Sequence, residues 1–468
     1  MTIEFYKEIE RYGSTKAVIA ENSDGLTYTE LLTAADILAS YCPKRCLVFS
    51  VCENSLESLI GYIGFLRNRI VPALINEMMN HELLENLLRI YKPEYIWLPY
   101  EKSGNANWGR QIYRYGKYAL LKTSFDIDYM LHEDLGLLLT TSGSTGSPML
   151  VRQSYKNINS NANAIAQYLE IKQTDKPITT LPMHYTYGLS IINSHLLKGS
   201  TIILTNRTLM DRIFWDLLRT HEATTFGGVP YVYEMLKKLR FSRMNVPSIK
   251  ILTQAGGKLG LELTKEFATI CEQKGIRFFV MYGQTEATAR MSYLPWEYAV
   301  SKAGSIGIAI PGGEFWIESE EGNIVMDSDT IGELIYKGDN VTMGYAASCH
   351  DLQRDDENYA ILRTGDYAKR DADGFYYIVG RKKRFLKLFG NRVNLDEVEQ
   401  LIKGSGYNCA CAGEDDHLRI YTTDKNNHSA IKTFVFERTG IHPSGFDVLY
   451  IDSIPRNEAG KILYSVLK

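Results

Sequence analysis

The chain has 468 residues, 45% of them hydrophobic and 23% charged, the composition of a globular protein with a sizeable core. Its 52 Lys+Arg nearly balance 55 Asp+Glu for a formal charge of −3, which removes the electrostatic case for a nucleic-acid or anionic-membrane partner. The N-terminal MTIEFYKEIERYG has no apolar leader pattern, and no apolar run reaches membrane-spanning length. Seven cysteines (Cys42, Cys46, Cys52, Cys271, Cys349, Cys409 and Cys411), an odd number without C-x-x-C pairs, predict reduced thiols and a cytoplasmic location rather than a disulfide framework or zinc site.

No internal repeat or low-complexity tract interrupts the chain. Leu31–Ser40 and Leu56–Arg67 carry apolar residues at helical spacing, and Arg45–Val51 and Tyr95–Leu98 read as short strands. That alternation predicts parallel βα units. Leu135–Leu139 is a buried-strand candidate running into a polar glycine loop. The rhythm resumes with strand-like Ile178–Leu181, Thr201–Leu204, Lys250–Thr253 and Arg277–Met281, and helical Leu189–Leu197 and Leu209–Thr220. Beyond residue 300, Glu314–Ile317, Gly332–Lys337 and Gly374–Val379 are strands with turn-rich links, predicting a smaller sheet or barrel. A helix from Leu395, short strands and a final loop complete the chain. The fold class expected is α/β: a large N-terminal domain with parallel subdomains and a small β-sheet or barrel subdomain, then a small α+β C-terminal domain.

The loop Thr141–Ser147, reading TSGSTGS, concentrates hydroxyls, backbone N–H groups and glycines, which suit phosphate oxygens. It is not a Walker loop, lacking Gly-Lys-Ser/Thr, and its glycines are wrongly spaced for a nucleophile elbow. Taken alone it reads equally as a surface turn. Downstream, Gly256-Gly257-Lys258 lies between a strand and a helix, where open α/β sheets bind ligands. Tyr282-Gly283-Gln284-Thr285-Glu286 follows another strand: Tyr282 can stack on a base, Thr285 can bond a phosphate oxygen, and Glu286 is a hard oxygen ligand for magnesium. Asp366 in Thr364-Gly365-Asp366 can accept from both hydroxyls of a ribose. Gly380-Arg381-Lys382-Lys383-Arg384 is a cationic run, and Lys461 sits in a loop near the C-terminus. Each alone has a bland reading as a turn or solvated charge.

In order, Thr141–Pro148, Pro182–Gly188, Gly256–Leu259, Tyr282–Glu286, Gly332–Gly344, Thr364–Asp366, Gly380–Glu399 and Pro455–Ile462 resemble the motifs of the acyl-adenylate-forming superfamily. The resemblance extends from Tyr28, in a TYTEL segment, to the C-terminus. That superfamily includes acyl- and aryl-CoA ligases, luciferases and adenylation domains. The resemblance implies that ATP and Mg2+ activate a carboxylic acid as acyl-AMP, which passes to a thiol of CoA or of a carrier protein's phosphopantetheine. On that basis Thr141, Ser142, Gly143, Ser144, Thr145 and Gly146 wrap the β and γ phosphates, Thr285 contacts the α-phosphate and Glu286 holds magnesium. Gly256, Gly257 and Lys258 face Tyr282, with Gly283 beside it, across the adenine; Asp366, with Arg381 nearby, holds the ribose. Lys461 bridges the attacking carboxylate and the α-phosphate. The resemblance also implies domains 1–382 and 383–468, the second rotating about a hinge at Lys383.

Where the family usually has lysine after Ser147-Pro148, this chain has Met149, which predicts weaker ATP binding unless Arg152 or Lys156 substitutes. The acid pocket is expected near His184, Tyr185, Gly228 and Met281. Thr186 stands nearest the aspartate that pairs an amino-acid ammonium in relatives, so an aryl or aliphatic acid is favoured over an amino acid. The segment between Tyr28 and Thr141 is shorter than in many relatives, predicting a reduced N-terminal subdomain. Met149 also leaves open a second reading, a nucleotide-binding homologue with weak or no turnover.

Overall fold

The computed structural model describes residues 4–21, 23–103, 108–140, 149–388, 391–414, 417–456 and 462–467. Its largest sheet has eight strands, in the spatial order Tyr345–Ala346, Leu150–Ser154, Leu135–Thr140, Val71–Asn76, Leu47–Cys52, Tyr95–Pro99, Tyr118–Lys122 and Arg110–Tyr115. The middle four are parallel, as βα alternation requires, and the central Leu47–Cys52 is buried at all six positions. Both edges depart from the expected parallel pattern. Leu150–Ser154 pairs antiparallel with Leu135–Thr140, and a hairpin of Arg110–Tyr115 with Tyr118–Lys122 closes the far side.

Local chemistry explains the helix ends. The TYTEL segment opens the helix Tyr28–Ser40 as a capping box: Thr27 accepts from the Glu30 N–H, while the Glu30 carboxylate accepts from Thr27 N–H at 2.7 Å. Leu56–Arg67 forms as the periodicity predicts, capped by Ser55. The expected strand Ile178–Leu181 shrinks to two bridges, Pro177 to Thr225 and Ile178 to Ile203.

The second sheet runs Thr225–Gly228, Ile251–Gln254 and Arg277–Tyr282 in parallel, then Ser292–Leu294 and Ile308–Ala309 antiparallel. An open, antiparallel four-stranded sheet follows, from Gly313–Glu318, Gly332–Gly338, Ile361–Arg370 and Tyr376–Arg381, in place of a barrel. The C-terminal part has its own three-stranded sheet (Cys409–Glu414, His417–Thr422, Phe446–Tyr450) and a separate core that includes Val398, Ile402, Ile420, Ile431 and Val435. All seven cysteines are buried free thiols. Among the described residues no helix is long and apolar enough to cross a membrane.

Candidate active site

Three parallel strands end side by side. Gly228, Gln254 and Val280 are register partners, so the segments that follow, Val229, Ala255–Lys258 and Tyr282, gather at the carboxyl edge of one sheet. This is the edge where open α/β sheets bind ligands. Gln254 Nε2 donates to the Gly257 carbonyl at 2.8 Å and fixes the turn. Gly256 has φ +81°, and a Cβ there would stand 2.6 Å from the Tyr185 hydroxyl. Only glycine lets this backbone lie so close to the Tyr185 ring, so Gly256 and Tyr185 share one surface. Lys258 reaches across to the Ile378 carbonyl at 3.3 Å.

Asp366 is the centre of a second cluster. It is 4% exposed, yet Tyr282 donates to its Oδ2 at 2.5 Å and Gln284 Nε2 donates to the same oxygen at 3.1 Å. Gln284 also donates to the Thr364 carbonyl at 2.9 Å. Arg381, the cross-strand partner of Asp366, places Nε 3.6 Å from Oδ1. Burial pushes the carboxyl above its ordinary range, against the pull of Arg381, Tyr282 and Gln284. Burial and the Asp366 charge together raise the Tyr282 hydroxyl well above its usual value, so it stays a donor. With Oδ2 committed to Tyr282 and Gln284, Oδ1 is the acceptor that Asp366 can offer a diol.

Thr285 and Glu286 lie in a 3-10 turn, Thr285–Ala287, that follows directly. Thr288 ends it at φ 63°, a left-handed conformation unusual for threonine. Three long-range bonds hold it there: Thr288 Oγ1 donates to the Asn340 carbonyl, Asn340 Nδ2 donates to the Ala287 carbonyl, and Thr186 Oγ1 donates to the Thr288 carbonyl. The Tyr345 hydroxyl donates to Glu286 Oε1 at 2.5 Å, and the Thr342 N–H donates to the Glu286 carbonyl at 3.0 Å. Glu286 is thus held half-buried, its second oxygen making no hydrogen bond among the described residues, which fits a hard divalent cation such as Mg2+. Gly283 has a packing reason: a Cβ would fall 1.7 Å from the Ala289 carbonyl oxygen.

Where the acid pocket is expected, desolvation holds the His184 imidazole down at about 4 and pushes the Tyr185 hydroxyl to about 12, so both are neutral at pH 7. Gly228 turns its bare Cα toward Val232 and Tyr233, and Gly227 abuts the Tyr187 hydroxyl. Met281 is buried, its Sδ 3.0 Å from the Tyr168 hydroxyl and 3.2 Å from Arg290 Nη1. Sequence reasoning missed Arg290, because an arginine four residues past Glu286 reads as a solvated turn; the fold buries it to 2% exposure. It also missed Gln284 and Tyr345, whose roles arise only from contacts 80 and 59 residues away in the chain.

The loop residues Thr141 to Gly146 lie outside the described residues, as does Lys461. Their flanks are described: Thr140 pairs with Leu150 in an antiparallel ladder, and Arg456 bridges Ile462. Met149 is half-buried at the start of the returning strand. Arg152 cannot substitute for the missing lysine, since it is wholly buried, donating to the carbonyls of Tyr345, Met343 and Arg354 and pairing Glu357 at 2.9 Å. Lys156 pairs with Asp339 at 2.8 Å, both more than half exposed.

The Lys383 side chain lies outside the described part, but its neighbours are anchored on different bodies. Lys382 pairs with Glu333 of the four-stranded sheet at 3.0 Å. Arg384 is buried against Asp396, Glu399 and the ring of Tyr464 in the C-terminal part.

A family model described as AMP-binding enzyme matches residues 5–346, nearly three quarters of the chain. The protein belongs to that family. Among curated proteins, the 2-succinylbenzoate–CoA ligase of Bacillus subtilis is 27% identical over 355 residues, covering 73% of this chain and 70% of the relative. The long-chain-fatty-acid–CoA ligase FadD13 of Mycobacterium tuberculosis is 26% identical over 347 residues, covering 72% and 67%. Among solved structures, the fold matches the O-succinylbenzoate coenzyme A synthetase MenE of Bacillus subtilis in complex with AMP, with TM-score 0.81, 21% identity, and coverage of 99% of this chain and 98% of that one. ATP-bound MatB from Rhodopseudomonas palustris matches with TM-score 0.78 at 20% identity, covering 100% and 98%. Because 98% of MenE is covered, the short N-terminal region is no missing block relative to that fold.

Proposed function

We propose that this protein joins a carboxylic acid to ATP, releasing pyrophosphate and forming an acyl-adenylate, and then passes the acyl group to the thiol of CoA with release of AMP. The observation that carries the reading is the buried Asp366, held by Tyr282 and Gln284 at the edge of the sheet where Gly256 and Glu286 also gather. Tyr282 and the Gly256–Lys258 turn offer opposed faces to an adenine, and Asp366 offers Oδ1 to the ribose diol. Thr285 lies one residue before Glu286 and would contact the α-phosphate. Glu286 would hold a Mg2+ ion, which would supply positive charge to the phosphates of the incoming nucleotide.

An acid anion meeting a polyanion is a problem of charge and position, so preorganised donors dominate the step. Tyr185 stands between the nucleotide turn at Gly256 and the acid pocket. Thr186 stands nearest the aspartate that pairs an amino-acid ammonium in relatives, which favours aryl or aliphatic acids over zwitterionic amino acids. Lys461, carried on the C-terminal domain, would bridge the carboxylate and the α-phosphate. Rotation at Lys383, between the anchor of Lys382 on Glu333 and that of Arg384 on Glu399, would then admit the thiol. A phosphopantetheine arm on a carrier protein presents the same thiol and is the alternative acceptor; a cytoplasmic location fits the seven unpaired thiols.

The test is acid-dependent exchange of pyrophosphate into ATP across a panel of aryl, aliphatic and amino acids, followed by thiol capture with CoA and with a phosphopantetheinylated carrier. Exchange with at least one aryl or aliphatic acid and capture by CoA are expected. ATP binding without exchange for any acid would overturn the reading.

A further inference from the structure

Arg290 is a buried cation with no anion beside it among the described residues. Nε donates to Ser190 Oγ at 3.2 Å, Nη1 donates to the Tyr168 hydroxyl at 2.9 Å, and the guanidinium lies 5.2 Å from the centre of the Tyr187 ring. Nη2 makes no hydrogen bond, and no carboxylate lies within ion-pair distance, among the described residues. The titratable neighbours are neutral too: burial holds His195 down at about 4 and raises the hydroxyls of Tyr168 and Tyr187. Beyond Ser190, Gln153 Nε2 and Asn161 Oδ1 are buried without partners among the described residues, so this region is polar and uncharged. Taking a guanidinium out of water without a counter-charge is among the costliest arrangements a fold can hold, and a balancing anion is its usual company.

The position says which anion. Met281, whose sulfur lies 3.2 Å from Nη1, immediately precedes Tyr282 on its strand, and strand neighbours face opposite sides. Arg290 therefore stands on the helix side of the sheet with Tyr187, away from Asp366 and the ribose side. Tyr187 lies two residues beyond Tyr185, which touches the nucleotide turn.

We propose that Arg290 is a specificity-determining residue that receives a second carboxylate on the acid, so that the substrates are dicarboxylates whose second group is remote from the reacting one. This rests on the acid-activating reading above. The reacting carboxylate enters beside Tyr185 and Gly256, and the remote carboxylate pairs with the guanidinium in the planar, two-point manner suited to arginine.

Matched acids test it by pyrophosphate exchange: adipate against its monomethyl ester, and 2-succinylbenzoate against 4-oxo-4-phenylbutanoate. The native protein is expected to prefer the dicarboxylate at least tenfold in kcat/KM in a pair it accepts. In Arg290→Met that ratio falls at least tenfold, and Arg290→Lys recovers part of it. Equal or better turnover of the mono-acids by the native protein overturns the proposal and leaves the acid-activating reading standing. Loss in Arg290→Met that is the same for both members of a pair also overturns it. Should Arg290→Met fail to fold, the native preference decides alone, and absence of exchange with every acid removes both readings.

Discussion

Arg152 directs its donors to the carbonyls of Met343, Tyr345 and Arg354 and to the Glu357 carboxylate. It thereby fixes the segment whose Tyr345 hydroxyl reaches Glu286, and its influence on the carboxylate proposed to hold Mg2+ is one of position. Lys156 is differently placed. Its pair with Asp339 is solvent-exposed and worth little, so the side chain can leave it. The proposed phosphate side of the site therefore carries no cation at position 149, where a lysine would be held at the start of a strand. Met149→Lys should lower the KM for ATP about tenfold, the equivalent of ~1.4 kcal/mol, in initial-rate exchange kinetics; an unchanged or higher KM would count against that account.

The turn from Gly283 to Arg290 shows how one element serves several ends. Its tight return sets the Ala289 carbonyl against the Gly283 Cα, and Thr288 holds φ 63° with Asn340 and Thr186 fastening it. The same turn presents Glu286 outward and drives Arg290 inward. Gly283→Ala should destabilise the protein by about 3 kcal/mol, because a methyl group would overlap a backbone oxygen that cannot rotate away. A shifted urea midpoint and a weakened ATP affinity would show it, and a midpoint within error of the native one would contradict it. The sequence marked Gly283 as a site residue through its neighbours Tyr282 and Glu286, yet the reason for glycine is the packing of the turn.

For the molecule as a whole, two desolvated imidazoles, one buried and one half-buried, set a pH limit. His184 and His195 titrate near 4 in the folded chain against about 6.5 when unfolded, so below 6.5 the unfolded state takes up protons first. Stability that is complete above pH 6.5 is then lost as pH falls toward 4, by about 2 kcal/mol per histidine at pH 5. Ordinary carboxylates hardly titrate between 6.5 and 5, and Asp366 and Glu53, which burial raises, would act in the opposite direction. Urea midpoints at pH 7, 6 and 5 should fall in step; a level series would refute the linkage.

Much of this was legible in the chain alone, where the signal was local. Apolar runs located the strands ending at Thr140, Gln254 and Tyr282, helical spacing located Leu56–Arg67, and glycine- and acid-bearing turns marked Gly256, Glu286 and Asp366. The edge strands Leu150–Ser154 and Arg110–Tyr115 were not read from the sequence, because strand periodicity does not tell an antiparallel return from a parallel strand. The bond from Tyr282 to Asp366 spans 84 residues, that from Tyr345 to Glu286 spans 59, and Arg290 meets Tyr168 across 122. Pairing order among sheets, which no local pattern encodes, brought these groups together. Residue type and order were enough to point to the family and its ATP-dependent chemistry, whereas the burial of Arg290, and with it the charge proposed for the acid, came from how the sheets and helices close around it.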